Sequence, residues 1–282
     1  MSRALLAPPL ASSIDQTSES FVTNRNDMLE QLEIHDRLLE MAAAGGGPKA
    51  MERHRSRDKL PIRERIAHVL DPDTPFLEIS PLAGYGSQYA LGGGMVAGIG
   101  IIAGTECVIM GNDPTVMAGA LTPYASKKWM RALEIARDNR IPYVSLVESA
   151  GGDLRINARA RKGSGDGNDD DQLGAVGSAV VPEHFAETGR FFYEMIELSK
   201  LRIPTVCVVF GSSTAGGAYQ PGLSDYNIFI KEHSYAFLAG PPLVKMATGE
   251  ISDSETIGGA QKHAEVSGLA EYLAEDEMDA IR

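Results

Sequence analysis

The sequence contains only two cysteines, and it has no apolar run near the about 20 residues that a membrane-spanning helix needs. Cys107 and Cys207 each lie in a short apolar run, which is typical of core residues in a reducing compartment. The H-E-x-x-H, Cys/His zinc and G-x-S-x-G patterns are all missing from the chain. These absences argue against a disulfide framework, a transmembrane protein, a zinc site and a serine hydrolase.

Basic residues are outnumbered by acidic ones, so that the 282-residue chain has a formal net charge of -12. Phosphate backbones are bound by a surplus of Lys and Arg, and this balance therefore argues against nucleic acid as a main partner. Residues 1–20 lack the charged-then-apolar pattern of a secretion signal. We expect them to be the disordered start of a cytoplasmic protein.

Hydrophobic periodicity predicts a helical arm over residues 21–72 and then a chain in which strands and helices alternate. The predicted strands are 95–102 and 107–110, which form a hairpin, then 143–147, 205–210, 226–230 and 235–238. The predicted helices are 24–44, 62–70, 124–140, 184–200, one that begins near residue 215, and the first turns of one within 274–282. This order predicts an α/β domain over residues 73–282.

Two segments resemble binding motifs and are interpreted otherwise. Residues 98–103 match the dinucleotide pattern G-x-G-x-x-A, but a hairpin follows them where that pattern needs a helix. Residues 156–182 contain an acidic, Gly-spaced run, but the terminal Glu of a calcium loop is missing. We therefore predict a mobile, solvated inserted loop over 156–182 and no metal site.

Two Gly-rich turns, Ser149–Asp153 and Gly211–Tyr219, each follow a Val-rich strand. Glycine allows backbone amides to approach a ligand oxygen, and a helix N-terminus adds unpaired donors. If the turns converge, they can form an oxyanion hole. Glu148 and Asp153 flank the first turn and could orient it. The alternative is that these glycines serve only tight turns and close packing.

A basic stretch, Arg53–Lys59 together with Arg63 and Arg65, lies in the helical arm. It suits either a phosphate group or a solvated helix face, and the residues alone do not decide between them. No His, Asp or Glu is placed as an evident catalytic base. Substrate or cofactor would then move the proton.

Several segments, in order along the chain, resemble the carboxyltransferase β subunits of biotin-dependent acyl-CoA carboxylases. They are Lys59–Ile66, Gly111–Val116, Ser213–Tyr219 and Phe237–Lys245 continuing to Thr248–Glu250. The resemblance extends from about residue 29 to the C-terminus. The Ala-Gly-Pro-Pro-Leu-Val-Lys form is most similar to methylcrotonoyl-CoA carboxylase β subunits.

The resemblance implies a crotonase-like spiral of β-β-α units in two domains, of which this chain matches only the acyl-CoA-binding one. The C-terminal biotin-binding domain is expected to be absent. The implied partners are an acyl-CoA, a biotin carboxylase and biotin carboxyl carrier (alpha) subunit, and further copies of the chain. The implied chemistry is transfer of carbon dioxide from carboxybiotin to an enolate, with biotin accepting the proton.

The resemblance also implies roles for the two turns and the basic stretch. The implied catalytic residues are Gly151, Gly152, Gly216 and Gly217. The implied substrate-binding residues are Ala150, Thr214, Ala215, Ala218, Tyr219, Arg57 and Lys59. No metal is expected in the chain.

Two alternatives stay open. A crotonase-like hydratase or decarboxylase would share the fold and the hole, but a hydratase needs positioned carboxylates, and no convincing pair is evident near the turns. The second alternative is a non-catalytic half, which binds acyl-CoA or only assembles with a partner.

Overall fold

A computed structural model describes residues 12–152 and 183–282, and it describes side chains in the second range from residue 189 onwards. The predicted 156–182 loop and Asp153 lie outside the described residues, as does the first part of the predicted disordered start. The chain divides into two compact units, Met1–Glu40 and Met41–Arg282. The predicted domain boundaries stay predictions.

One mixed sheet forms the centre of the larger unit. Its first three strands are antiparallel, and the following strands are parallel in the order β3-β4-β5-β6-β8, with β7 pairing beside the end of β5. The strands are β1 (Leu77–Glu78), β2 (Met95–Ile102), β3 (Thr105–Asn112), β4 (Tyr143–Ser149), β5 (Thr205–Thr214), β6 (Tyr226–Ile230), β7 (Tyr235–Phe237) and β8 (Tyr272–Ala274).

Helices precede, separate and follow these strands. They are α1 (Glu19–Ala43), α2 (Pro48–Arg55), α3 (Ile62–Val69), α4 (Pro123–Asn139), α5 (Glu183–Lys200), α6 (Tyr219–Leu223), α7 (Pro241–Thr248), α8 (Ser254–Gly258), α9 (Ala260–Lys262) and α10 (Glu277–Ile281). In the described ranges, no helix combines the length and the apolar character that a membrane span requires.

Side chains alternate between two core layers because successive strand residues point to opposite faces of the sheet. On β3, Val108 and Met110 face the layer of α4 and α5, where Trp129 stacks on Phe191 with ring centroids 4.1 Å apart. Ile109 faces the other layer, in which α3 and α10 pack. The sheet is thus covered on both faces, and the carboxyl ends of β3, β4 and β5 stay at one edge.

Most predicted elements are confirmed, including the hairpin, whose register pairs Ile102 with Thr105. Two predictions at the second Gly-rich turn are wrong. The strand predicted to stop at residue 210 continues to Thr214, and residues 215–218 form a 3-10 turn before the short helix α6. Gly211 does not open a turn: β5 continues through it with a shift of register relative to β4. The helices α2, α7, α8 and α9 and the strands β1 and β8 were not predicted.

Candidate active site

The two Gly-rich turns meet at the carboxyl edge of the sheet. They follow the neighbouring parallel strands β4 and β5, in which Ser149 pairs with Ser213. Gly151 has a φ of 88°, and a Cβ there would lie 2.8 Å from the carbonyl oxygen of Thr214 and 3.2 Å from Cβ of Ala215. A side chain at position 151 would therefore be strained and would also push the turns apart.

Ser149 joins the two turns to a third segment of chain. Its Oγ donates to the carbonyl of Gly119 at 2.9 Å and accepts from the amide of Gly151 at 3.2 Å. A Cβ at Gly217 would lie 3.2 Å from Cβ of Ser149. The Gly151 amide is thus already engaged, whereas the Gly152 amide donates to no acceptor within the described residues.

The third segment, Met117–Leu121, was not identified as part of a site from the sequence. Met117, Ala118 and Gly119 have φ values of 50°, 54° and 68°, a left-handed run that L-residues rarely adopt. Main-chain hydrogen bonds hold it to the first turn: Ala150 N donates to Ala118 O at 3.0 Å and Leu121 N to Gly151 O at 2.8 Å. The available signal was its position after β3, the parallel neighbour of β4.

A cavity of about 520 Å³ opens beside these turns. Four of the predicted residues line it: Arg57, Lys59, Ala150 and Thr214. The other predicted residues, Gly151, Gly152, Ala215, Gly216, Gly217, Ala218 and Tyr219, belong to the converging turns or to the start of α6 and are not in the lining. The ring of Tyr219 packs 4.5 Å from that of Phe192.

Several lining residues were not predicted as substrate-binding. They are Ala50, Arg53, His54, Pro114, Ala118, Glu148, Ser149, Ser212, Glu232, His233 and Tyr235. Arg53, Arg57 and Lys59 bring positive charges to one wall of the cavity, and the lining also contains the carboxylates Glu148 and Glu232. His233 comes from the β6–β7 connection, and Tyr235 is the first residue of β7. The mixture of cations with small turn residues suits an anionic ligand that has a small reactive end.

A buried ion network underlies the first turn. Lys59 Nζ contacts Glu148 Oε1 and donates to the carbonyl of Phe210 at 3.3 Å. Arg65 Nη1 lies 2.9 Å from Glu148 Oε2, an ion-pair distance whose angle is not that of a hydrogen bond. Burial alone would raise the pKa of Glu148, but Arg65 and Lys59 outweigh it and hold that pKa below its usual range. Glu148 is therefore a fixed carboxylate.

Arg65 is fully buried and is shared between two carboxylates. Its Nη2 donates to Glu277 Oε1 at 2.6 Å and its Nε to Glu277 Oε2 at 3.1 Å, while its guanidinium carbon lies 4.3 Å from the ring centroid of Phe210. Glu277 Oε2 also accepts from the amide of Leu60. Arg65 is thus neither a phosphate ligand nor part of a solvated helix face, the two interpretations that its sequence suggested.

His54 completes the cavity wall behind the network. Its Nε2 lies 3.1 Å from the carbonyl oxygen of Leu60, and because a carbonyl only accepts, Nε2 carries the proton in the neutral ring. Burial lowers the pKa of His54. Across residues 12–152 and 183–282, no group of three or more His, Cys, Asp or Glu is arranged to hold a metal ion.

Comparison with known proteins gives concordant matches. Residues 53–168 and 170–282 match the Carboxyl transferase domain family. A probable biotin-dependent acyl-coenzyme A carboxylase beta2 subunit of Mycobacterium tuberculosis is 47% identical over 273 residues, covering 97% of this chain and 47% of that protein. A probable mitochondrial methylcrotonoyl-CoA carboxylase beta chain of Drosophila melanogaster is 41% identical over 277 residues, covering 96% and 44%.

Solved structures agree with these matches. The beta subunit of geranyl-CoA carboxylase from P. aeruginosa is similar with a TM-score of 0.79 at 40% identity, covering 98% of this chain and 47% of that one. A transcarboxylase 12S structure, described as a hexamer assembly with methylmalonyl-coenzyme A bound, has a TM-score of 0.72 at 25% identity. The chain spans about half the length of the relatives it matches.

Proposed function

This chain belongs to the carboxyl transferase domain family, and on that premise we propose that it is the acyl-CoA-binding half of a biotin-dependent carboxyltransferase. The proposed reaction transfers carbon dioxide from carboxybiotin to an acyl-CoA of the methylcrotonoyl type. The observation that carries the proposal is the meeting of two Gly-rich turns, after β4 and β5, beside a cavity with a cationic wall.

The cavity supports binding of CoA through its charge. Arg53 and Arg57 lie on α2 and just after it, where their guanidinium groups can pair with phosphate oxygens. Lys59 lines the same wall, but its ammonium group is paired with Glu148. It therefore adds positive charge to the wall without being free to donate a hydrogen bond to a phosphate. The thioester would then lie beside Ala150 and Thr214, the lining residues that belong to the two Gly-rich turns.

Stabilisation of the thioester oxygen is assigned to the first turn. We take Gly151 and Gly152 as the amide donors. The Gly151 amide would have to exchange its bond to Ser149 Oγ for the thioester oxygen, whereas the Gly152 amide has no acceptor within the described residues and is the better placed. Among the described residues, no heavy atom lies within 4 Å of a Cβ placed on Gly152. Each donor to a developing oxyanion contributes roughly 3 kcal/mol to lowering the barrier.

We assign the second turn to a second ligand, the biotin group. Among the described residues, the nearest heavy atom to a Cβ placed on Gly216 is Leu121 Cδ1, at 3.8 Å, so this glycine is not tightly enclosed. Biotin carried by a partner chain supplies, when bound, the carboxyl group and the proton acceptor. The amides of Gly216 and Gly217, in the first residues of a 3-10 turn, would stabilise the anionic oxygen that faces them.

The fixed state of Glu148 supports carboxyl transfer over hydration. A hydratase needs carboxylates that exchange protons with water, whereas Glu148 is tied to Lys59 and Arg65. The proposed partners are a biotin carboxylase with its carboxyl carrier and further copies of the chain, in the cytoplasm. The related transcarboxylase 12S, described as a hexamer assembly, supports oligomerisation.

Calorimetric titration of the chain with methylcrotonoyl-CoA, acetyl-CoA and free CoA tests the proposal. We expect the branched acyl-CoA to bind more tightly than acetyl-CoA, and both more tightly than free CoA. Arg131→Ala is a matched control because Arg131 is an exposed residue of α4 outside the cavity lining. A folded, monodisperse chain that bound none of the three would exclude an acyl-CoA site formed by this half alone.

A further inference from the structure

Glu148 is enclosed by two glycines from different loops. On the main-chain side, a Cβ at Gly119 would lie 2.1 Å from the carbonyl oxygen of Glu148. On the side-chain side, a Cβ at Gly211 would lie 2.7 Å from Cγ, Cδ and Oε1 of Glu148. Both glycines let the backbone approach closer than any side chain would allow, so both halves of Glu148 are held in place.

The space for the carboxylate comes from an irregularity between β4 and β5. Val147 pairs with Val209, and Ser149 pairs with Ser213, so that β5 contains two more residues than β4 across this interval. The extra length places Gly211 opposite Glu148. The carbonyl of Phe210, freed from the regular ladder, accepts from Lys59 Nζ at 3.3 Å.

We propose that Glu148, clamped by Lys59, Arg65 and Gly211, is the positioning residue that sets the geometry of the Ser149–Gly152 turn for the thioester oxygen. The inference rests on the proposed function and goes beyond it. Glu148 lines the cavity, but it is a carboxylate whose two oxygens are paired with Lys59 and Arg65, so it has neither a proton to donate nor an unpaired oxygen to accept one. Its role is to fix where β4 ends and the direction in which the turn leaves.

Charge balance explains why a carboxylate serves here. Lys59 and Arg65 bring two positive charges against the two negative charges of Glu148 and Glu277, so the buried network is neutral. Paired in this way, the ions avoid the cost of an isolated buried charge. An amide at position 148 would leave one of the two positive charges uncompensated, because Glu277 would remain paired with Arg65, and the turn would then shift.

Glu277, in α10, is also connected to the turn, because it binds Arg65. It holds Arg65 through two hydrogen bonds and also accepts from the amide of Leu60, which precedes α3. Loss of Glu277 would free Arg65 to shift along Glu148. We therefore expect Glu277→Gln to disturb the turn in the same direction as Glu148→Gln and by less.

The test compares two ligands that differ only at the carbonyl. Methylcrotonoyl-CoA and its thioether S-prenyl-CoA share the CoA and the branched chain, but the thioether lacks the oxygen that the turn would contact. We expect the wild-type chain to favour the thioester roughly tenfold by calorimetry, which is what one or two hydrogen bonds provide. The ratio of the two dissociation constants reports the placement of the turn.

Two variants perturb the clamp by different means. Glu148→Gln removes the charge, and Gly211→Ala keeps all charges but places a methyl group against the carboxylate. We expect both to reduce the ratio from about tenfold toward unity. The matched controls are Gly222→Ala, where the added methyl group meets no atom within 4 Å, and Glu64→Gln, which removes an exposed ion pair with Arg55. Both controls should keep the wild-type ratio.

The outcomes separate the clamp from a merely structural role. Misfolding lowers the number of competent sites for both ligands and leaves the ratio unchanged, so an unchanged ratio in Glu148→Gln and Gly211→Ala overturns the inference. A wild-type chain that binds both ligands equally also overturns it, and leaves acyl-CoA binding intact. A wild-type chain that binds neither ligand instead contradicts the proposed function on which the inference rests.

Discussion

Lys128, buried in α4, donates a hydrogen bond from its ammonium group to the carbonyl of Met95 at 2.7 Å and another to the carbonyl of Gly92 at 3.3 Å. These bonds hold the left-handed run Gly92–Gly94 that leads into β2. Burial lowers the pKa of Lys128 from 10.5 to about 8, with Glu78 opposing the shift. The charged form of Lys128 in the core is thus stabilised by hydrogen bonds to two main-chain carbonyls.

Stability should therefore respond to alkaline pH through Lys128. Between pH 8 and pH 10.5 the unfolded chain keeps the proton of Lys128 and the folded chain has lost it, so raising the pH favours the folded state. The shift corresponds to a gain of about 3 kcal/mol across this window. The measurement is urea unfolding of the wild type and of Lys128→Met at pH 8 and at pH 10.5. We expect the difference between their free energies of unfolding to change by about 3 kcal/mol in favour of the wild type as the pH rises.

The comparison with Lys128→Met is needed because buried thiols and phenols act in the opposite direction. Burial raises the pKa of Cys207 to about 12 and that of Tyr143 well above its usual range, so these groups reduce stability as pH rises. Both proteins contain them, and their effect cancels in the difference. Parallel pH profiles for the two proteins would contradict the role given to Lys128.

Gly119→Ala should destabilise the chain much more than Gly104→Ala. Both glycines have positive φ values, 68° and 74°, so both substitutions carry the same backbone strain of roughly 1 kcal/mol. Only at Gly119 does the new methyl group also meet backbone, the carbonyl oxygen of Glu148 at 2.1 Å. We expect a difference of at least about 2 kcal/mol in urea unfolding. Equal losses of stability in the two variants would show that the third segment, Met117–Leu121, shifts to make room for the methyl group.

Arg65→Met should cost far more stability than Arg55→Met. Removal of Arg65 leaves Glu148 and Glu277 buried without one of their cations, which costs about 3–5 kcal/mol in comparable cases. Arg55 pairs with Glu64 at the surface, where solvent screens the charges and the loss should be hardly measurable. Thermal unfolding of both variants measures these losses. A small loss of stability in Arg65→Met would mean that the buried ions do not depend on Arg65.

Arg57→Ala should weaken binding of free CoA about three- to tenfold at low salt, because one cation of the cavity wall is lost. The difference from wild type should shrink as salt is added, since an open cavity is screened. Calorimetric titration at two ionic strengths measures it, with Arg131→Ala as the unaffected control. A loss of CoA affinity that did not depend on salt would show that Arg57 contributes through packing against CoA and not through its charge.

The sequence predicted the α/β crotonase-like fold and the N-terminal helix, and the similarity to the geranyl-CoA carboxylase beta subunit confirms both. Strand and helix periods are local, and Val-rich strands followed by glycines mark the edge where a site forms. The meeting of Gly151 with Thr214 and Ala215 could be predicted for the same reason, because neighbouring parallel strands end together.

The sequence did not predict the support beneath the turns, because that support is not local. Gly119 is one glycine among 30, and the left-handed φ of Ala118 results from contacts with another strand's turn. Arg65 lies in a stretch whose charge suggested solvent or phosphate, and its partner Glu277 is 212 positions away. The roles of Gly151, Gly152, Gly216, Gly217 and the other predicted site residues stay predictions.

The network beneath the first turn also determines when the turn can form. Lys59 and Glu148 are 89 positions apart, and Arg65 and Glu277 are 212 apart, so forming these contacts costs the entropy of closing long loops. During synthesis on the ribosome the early arm and β4 emerge well before Glu277. We therefore expect the turn to reach its final geometry only after α10 has been made, because Arg65 has its hydrogen-bond partner Glu277 only then.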